Sequence, residues 1–573
     1  MRAYRLFFAI GAVAALLLYV LVLRGPAPGP AGSPTADGET GRPVRGGHLT
    51  ATLRAEPRTL NRVVDAAFPT HLLSLLTGAR LARIHPVTQE PEPWLAESVE
   101  LAADARSLAV RLRPDLRWSD GTPLTADDVA FSLRAAYETT GSVLADTLRV
   151  NGRPLTATVE APDRLTIHAP APYAPLPRLL DALPILPKHA LEAALAEGTL
   201  GARCTPREPC PSAGPFVVSR YDAGERIVLA RNPHYWRTGE DGLPLPYIDG
   251  LTLTIVPDQN AELLHLTSGS VDLTQSEPRA EDIRVLREAE AAGRVRLVEA
   301  GPGLDRQMLW FNLGPAPIDP ARGFLRDRRF RQAVSLAVDR QGFADTVFLG
   351  AADPSPFPVT AANRAWHAAD LPAPAYDPRR AAELLEAMGL QDRDNDGVRE
   401  DGAGRPVRFT VLVQAGITAA ERGAAFLRDA LANLGVAVDV VALDLAAIFG
   451  RWGSGEYDAI YHFLQMTDTD PAGNLDFWLS RGSAHLWHPR QATPATTWEA
   501  EIDRLMLAQA ASPDRAERVR LFREVQRILG EENPAIWFAA PRVYVAHSPR
   551  VGGVIPAVTR PQVLWNADEL WVR

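Results

Sequence analysis

The sequence predicts a multidomain α/β protein, and three observations support that prediction. At 573 residues the chain is too long for one compact core, because single cores stop growing beyond about 250–300 residues; two or three domains follow. Residues 381–441 alternate by period and composition: helix over 381–388, strand over 409–413, helix over 425–434, strand over 437–441. That alternation reads as a βα layer. Residues 212–236, SAGPFVVSRYDAGERIVLARNPHYW, read as a two-strand unit with a marked stop. Phe216, Val217 and Val218 form a β-rich run, Tyr221 to Glu225 turn the chain, and Arg226 to Ala230 return before Arg231-Asn232-Pro233 breaks the ladder. Gly214-Pro215 before the first strand implies a sharp approach where a side chain would not fit.

Composition narrows the class. Hydrophobic content is that of a soluble globular protein, and 49 prolines with 42 glycines mark many turns. A net charge of −9 with interspersed signs argues against a nucleic-acid partner. No phosphate loop, H-E-x-x-H or G-x-S-x-G motif occurs, so the chain reads as a non-enzyme. Asp127 and Asp128 are better explained as charges on a helix N-terminus than as an acid/base pair.

The N-terminal segment (residues 1–24) holds Arg2 and Arg5, an uncharged run of eighteen residues, Leu6 to Leu23, and then Arg24. This lies at the short end of the roughly 17–25 residues that span a bilayer. A secretory signal has a shorter core and a small-x-small cleavage site. An uncleaved membrane anchor is expected, with a long cleaved signal peptide as the alternative. Residues 25–45 form a Pro/Gly-rich tether. The two cysteines, Cys204 and Cys210, sit in a proline-rich loop; outside the cytoplasm a disulfide is favoured over a metal site.

Longer strings carry a resemblance. Residues 111–137, RLRPDLRWSDGTPLTADDVAFSLRAAY, join a strand, an Asp-Gly-x-Pro turn and a helix capped by Thr125. Phe330-Arg331-Gln332-Ala333 through Asp339-Arg340, and Tyr376-Asp377-Pro378-Arg379-Arg380 through Leu390, follow in order. With the Gly-Pro-aromatic and Arg-Asn-Pro-x-Tyr-Trp strings of residues 212–236, they resemble the family 5 solute-binding proteins of ABC importers, the extracytoplasmic dipeptide, oligopeptide and nickel binders. The match runs from about Gly46 to the C-terminus.

The resemblance implies a two-lobed, periplasmic-binding-protein-like α/β clamshell with an extra subdomain in the first lobe. The expected first lobe is residues 46–300, with the subdomain at about 79–211. The second is residues 301–533, and residues 534–573 return to the first. The implied role is capture of a peptide-like or other small solute between the lobes, for permease subunits with cytoplasmic ATPases. An anchored extracytoplasmic module that senses ligand or scaffolds partners is the alternative.

Both lobes are expected to contribute to the ligand: Arg54 and Glu56 from the first strand and loop, Asn312 from the crossing strand, and Gln414, Gln465, Met466, Thr467 and Asp468 from the second lobe. Two departures matter. Peptide binders place an Asp three residues before an acidic-Pro pair to take the ligand's ammonium; with Asp470-Pro471 as that pair, the position is Thr467. Dipeptide binders carry an Arg just after the strand ending here at Val413, where this chain reads Gln414-Ala415-Gly416. A site lacking both charges would strand a zwitterion's termini, so a larger or less charged ligand than a free dipeptide is expected.

Two metal readings remain. Asp392, Asp394 and Asp396 stand at positions 1, 3 and 5 of a calcium loop, with Gly397 at 6 and Glu400 at 9. Ala403 occupies position 12, where Asp401 is a nearby substitute, and a solvated acidic turn is the alternative to structural calcium. His485 and His488 could flank one helical turn as a metal pair, though two surface histidines are the simpler reading.

Overall fold

The sharp approach at Gly214 has a steric cause. In the computed structural model, which describes residues 42–314, 320–464, 466 and 468–573, a Cβ on Gly214 would come within 2.6 Å of the Gly78 carbonyl oxygen and 2.7 Å of the Thr77 carbonyl carbon. Only glycine lets the chain pass the end of the helix Phe68–Thr77 and enter the hairpin Phe216–Asp222 and Arg226–Arg231. Gly224 makes the turn at φ +73°. The hairpin joins a four-stranded sheet in which Arg226–Arg231 pairs antiparallel with Gly250–Ile255, itself parallel to His48–Leu53. The inward residues Leu49, Ala51, Leu53, Ile227, Leu229, Leu251 and Leu253 form the core of the first lobe.

The subdomain is an antiparallel sheet in the order Ala96–Leu101, Ser107–Leu112, Arg164–His168, Thr156–Ala161. The helix Ala126–Glu138 covers it. That helix starts as its residues dictate: the Asp128 carboxylate accepts the Thr125 and Lys188 backbone N–H groups, both at 2.9 Å. Asp128 is thereby consumed in capping.

The second lobe is a βα layer. Arg408–Gln414 runs parallel to Ala437–Leu443 and to Ala459–Leu464, and the last pairs antiparallel with Arg306–Phe311. The helices Arg328–Ala337, Arg340–Val347 and Thr418–Ala432 pack their apolar faces on Phe311, Phe409 and Tyr461. Two buried arginines tie helix ends to the chain around them. Arg331 donates to the carbonyls of Leu325, Arg326, Glu532 and Asn533. Arg340 donates to Trp537 O at 2.8 Å and to Ser335 O and Oγ. Burial lowers both guanidinium pKa values to about 10, leaving them charged at neutral pH.

One strand joins the lobes. Ala535–His547 pairs through Ala535, Ile536, Trp537 and Ala539 with Arg306–Phe311, and through Arg542 to His547 with Arg296–Pro302. Leu273 then bridges His547 to Ala51 of the first sheet. This single strand of 13 residues crosses between the lobes near Pro541. Beyond it, Val551, Val563, Leu564, Leu570 and Val572 pack into the first lobe's core. Among the described residues no helix is long and apolar enough to cross a membrane; the run Leu6 to Leu23 lies outside them.

Candidate ligand-binding cleft

Between the lobes lies a cavity of about 2090 Å³, roughly twice the ~300–1,000 Å³ typical of a small-molecule site. Its first-lobe wall comes from Arg54, from Phe68 and His71 on the helix Phe68–Thr77, and from Gln275 to Glu281. The subdomain adds Tyr173, Arg178 and Asp181. The second lobe supplies Gly416 to Ala419, Met466, Asp468, Thr469 and Pro471 to Asp476, and the floor is the crossing backbone at Asp305, Arg306 and Gln307 and at Pro541 to Tyr544.

Of the residues expected at the ligand, Arg54, Met466 and Asp468 line this cavity. Arg54 points over the Pro257 carbonyl, with Glu262 at 3.8 Å. Glu56 is elsewhere: its carboxylate accepts from Tyr221 Oη and from Gly224 N at 2.9 Å, holding the hairpin turn. Those two bonds also pull its pKa down. Asn312 is structural too. At 1% exposure it donates to Gly455 O and Tyr457 O, both 2.8 Å, and accepts from Gly314 N. Gln414 ends its strand half-buried and is not part of the cleft wall, which the following Gly416 and Ile417 reach instead. Gln465 and Thr467 lie outside the described residues.

Asp468 is not free to meet a ligand. Arg178 grips its carboxylate side-on, with Nε 2.9 Å from both oxygens and Nη2 on Oδ1. Arg178 also donates to Gln89 O at 2.9 Å and to Thr469 Oγ1 at 2.8 Å. This pair spans the cleft from subdomain to second lobe, and beside it Tyr173 Oη donates to Ala472 O at 3.1 Å. On the opposite side Arg560 holds Asp305 at 2.9 Å and Glu277 at 3.1 Å. Burial raises both carboxyl pKa values against the pull of Arg560. The half-buried His71 is held neutral: burial first, then Arg80 and Arg62, lower its pKa to about 4.

Sequence reasoning missed Arg178, Arg306 and Arg560. Arg178 meets a partner 290 positions away, which no local pattern reports. Arg306 did leave a trace, as a lone charge opening the fully buried strand Arg306–Phe311.

The remaining candidates lie away from the cleft. Cys204 and Cys210 are joined as a disulfide with Cα atoms 4.9 Å apart. The Cys204 carbonyl then accepts from Leu60 N at 2.7 Å and from Thr59 Oγ1 at 3.2 Å. Carboxylate oxygens of Asp392, Asp394, Asp396 and Glu400 lie within 4.8 Å of one another. Oxygen donors of this kind suit a hard cation such as calcium. Asp401 does not join them, because Arg405 takes its carboxylate at 2.8 Å. His485 and His488 sit in a loop rather than on a helix, and His485 is buried 3.6 Å from Glu499.

Two lobes around a deep cleft, joined by a strand shared between their sheets, define a solute-binding clamshell. Residues 90–485 match the bacterial extracellular solute-binding proteins, family 5, and the chain belongs to that family. It is 26% identical over 551 residues to a probable ABC transporter-binding protein of Deinococcus radiodurans, covering 90% of each chain. In structure it is similar to NikA from Brucella suis in complex with Fe(III)-EDTA: TM-score 0.75, 20% identity, 92% of this chain and 100% of that one. It is also similar to the oligopeptide-binding protein AppA from Bacillus subtilis in complex with a nonapeptide: TM-score 0.69, 20% identity, 93% and 100% coverage. Those likenesses show a shared fold.

Proposed function

We propose that this solute-binding protein captures an extended polar solute, of peptide or oligosaccharide size, between its lobes and delivers it to the permease subunits of an ABC importer powered by cytoplasmic ATPases. The observation that carries this reading is the cavity of about 2090 Å³ walled by both lobes and floored by the shared strand. A ligand there touches both lobes at once, so its binding energy favours the closed arrangement that a permease can recognise. The nonapeptide and the chelate held by the two structural neighbours mark the range of solutes this fold accommodates.

The protein works outside the cytoplasm, and the uncharged run Leu6 to Leu23 is proposed to hold it at the inner membrane, facing the periplasm. The loop of Asp392, Asp394, Asp396 and Glu400 is proposed to take a structural calcium remote from the solute. A thermal-shift screen against peptides, oligosaccharides and metal chelates tests the central claim. A cognate solute at 100 times its Kd adds about 2.7 kcal/mol of stability. Absence of any response across the three classes, with uptake unchanged when the gene is deleted, would refute it.

A further inference from the structure

Among the described residues eight acids line the cleft, and seven of them are engaged within the protein. Arg80 holds Asp181 at 2.6 Å, Arg560 holds Glu277 and Asp305, and Arg178 holds Asp468. Asp146 and Glu281 face Arg149 at 3.6 Å and Arg422 at 3.8 Å, and Asp258 caps a helix through Ala261 N at 2.9 Å. Asp476 differs. It is exposed on the cavity wall, and no described basic group acts on its carboxyl. Burial raises its pKa, and only the backbone N–H groups of Asp476 and Phe477 oppose that rise. A carboxylate that is accessible and yet desolvated sits in a concave wall, not on an open surface.

Local sequence holds it there. Leu475-Asp476-Phe477-Trp478 makes one helical turn, and Phe477 and Trp478 are buried in a core of the second lobe, which leaves Asp476 on the outer side. Leu479 N donates to Leu475 O at 2.9 Å and Ala484 N to Asp476 O at 3.0 Å. Gly482 lets the chain pass, since a Cβ there would come within 1.9 Å of the Asp476 carbonyl oxygen. Ser480 ties the turn to the helix Thr497–Ala511 by donating to Asp503 from N at 2.8 Å and from Oγ at 3.1 Å. Ser483, beside Ala484, and Leu507, one turn beyond Asp503, are exposed and line the cavity as well. The carboxylate is therefore presented from a fixed turn, with little ordering left for a ligand to impose.

We propose that Asp476 is the second-lobe anchor for a primary ammonium group of the solute. Ser483 adds a neutral acceptor to that wall and Leu507 adds apolar surface for the attached carbons. The proposal rests on the solute-capture reading above and specifies its chemistry. It also corrects the expectation of a less charged ligand: the acid absent at Thr467 is supplied further along the chain. A metal ion is the poorer occupant, because among the described residues only the loop Asp392 to Glu400 brings metal-ligating groups close together. An ammonium needs one carboxylate, and their charge-assisted bond strengthens where protein displaces water. Closure on an uncharged twin strips water from the carboxylate and gives nothing back.

The test uses full-length, ligand-free protein and its Asp476→Asn and Asp476→Glu variants, titrated by calorimetry. The probes come as twins, free amine against acetylated amine: on the amino terminus of short peptide pools, on a lysine side chain, and on an amino sugar within an oligosaccharide. Wild type should bind a free-amine member at least about tenfold tighter than its acetylated twin, and which pair responds identifies the source of the ammonium. The ratio should fall to near one in Asp476→Asn, which keeps the shape without the charge. In Asp476→Glu, which keeps the charge and moves it, the ratio should be intermediate. Ligand-free Asp476→Asn should melt with the wild type, because no cation of the protein loses a partner. Equal wild-type affinity for free and acetylated twins would overturn the assignment while leaving solute capture standing. So would an undiminished ratio in Asp476→Asn, or a ligand-free Asp476→Asn that melts several degrees lower, since a structural carboxylate behaves that way. A wild type that binds none of the probes counts instead against solute capture, and the assignment falls with it.

Discussion

The bridge between Arg178 and Asp468 makes a quantitative prediction about how the lobes hold together. Arg178 is 5% exposed at its side chain and Asp468 20%. Breaking a fully buried pair by removing one partner costs about 3–5 kcal/mol. In Asp468→Asn the stranded guanidinium keeps its bonds to Gln89 O and Thr469 Oγ1, so the expected loss is about 2–3 kcal/mol. Arg178→Met loses those bonds as well and strands a carboxylate that retains the Asp470 N–H at 3.0 Å and some solvent; about 3 kcal/mol is expected. The double variant has no uncompensated charge and should also lose only about 3 kcal/mol, which leaves a coupling of about 2–3 kcal/mol. Urea denaturation of the four ligand-free proteins, followed by tryptophan fluorescence, measures the cycle. Additivity to within about 0.5 kcal/mol would refute the reasoning. Losses below about 1 kcal/mol in both single variants would also refute it, because they would mean that the lobes stand apart at this contact in solution.

Four further outcomes follow from the structure. His71 is neutral in the fold with a pKa near 4, against about 6.5 when unfolded. Below pH 6.5 the unfolded chain takes the proton first, so stability falls by about 1.4 kcal/mol per pH unit, to at most about 3 kcal/mol below pH 4. His71→Gln should flatten that slope, and an NMR titration of His71 centred near 6.5 would contradict it. Gly214→Ala forces a methyl group onto the backbone at Thr77 and Gly78 and should cost about 2–3 kcal/mol in thermal unfolding; a neutral result would show that the contact relaxes freely. The disulfide closes a seven-residue loop from Cys204 to Cys210, so Cys204→Ser with Cys210→Ser should lose about 2.4 kcal/mol on the loop-entropy relation, and alkylation of unreduced protein should find no thiol. Millimolar calcium should raise the melting temperature and Asp394→Asn should abolish the rise; identical melting in calcium and in chelator would remove the ion from the loop.

Local chemistry in the sequence determined the elements. Thr125 with Asp128 starts a helix, and the period of residues 381–441 alternates helix with strand, both through neighbours a few residues apart; Gly214 signals a close backbone approach, though only the fold shows that Thr77 and Gly78 are what it approaches. The acidic loop was legible for the same reason, since its carboxylates are spaced by a single turn of chain. The ligand cleft was not. Glu56 and Asn312 looked like ligand groups because they are polar residues beside the first strand and on the strand expected to cross between lobes, yet their hydrogen bonds are consumed by a turn and by strand ends. Arg178, Arg306 and Arg560 acquire their meaning only when segments more than a hundred residues apart are brought together. Whether a buried charge is paired depends on which acids the fold has already spent elsewhere. Arg560 takes Glu277 and Asp305, Arg178 takes Asp468, and Nε and Nη2 of Arg306 are left buried without a hydrogen-bond partner. Electrostatic pairing acts over a few ångströms of space, whatever the separation in sequence, so the tertiary structure alone decided it.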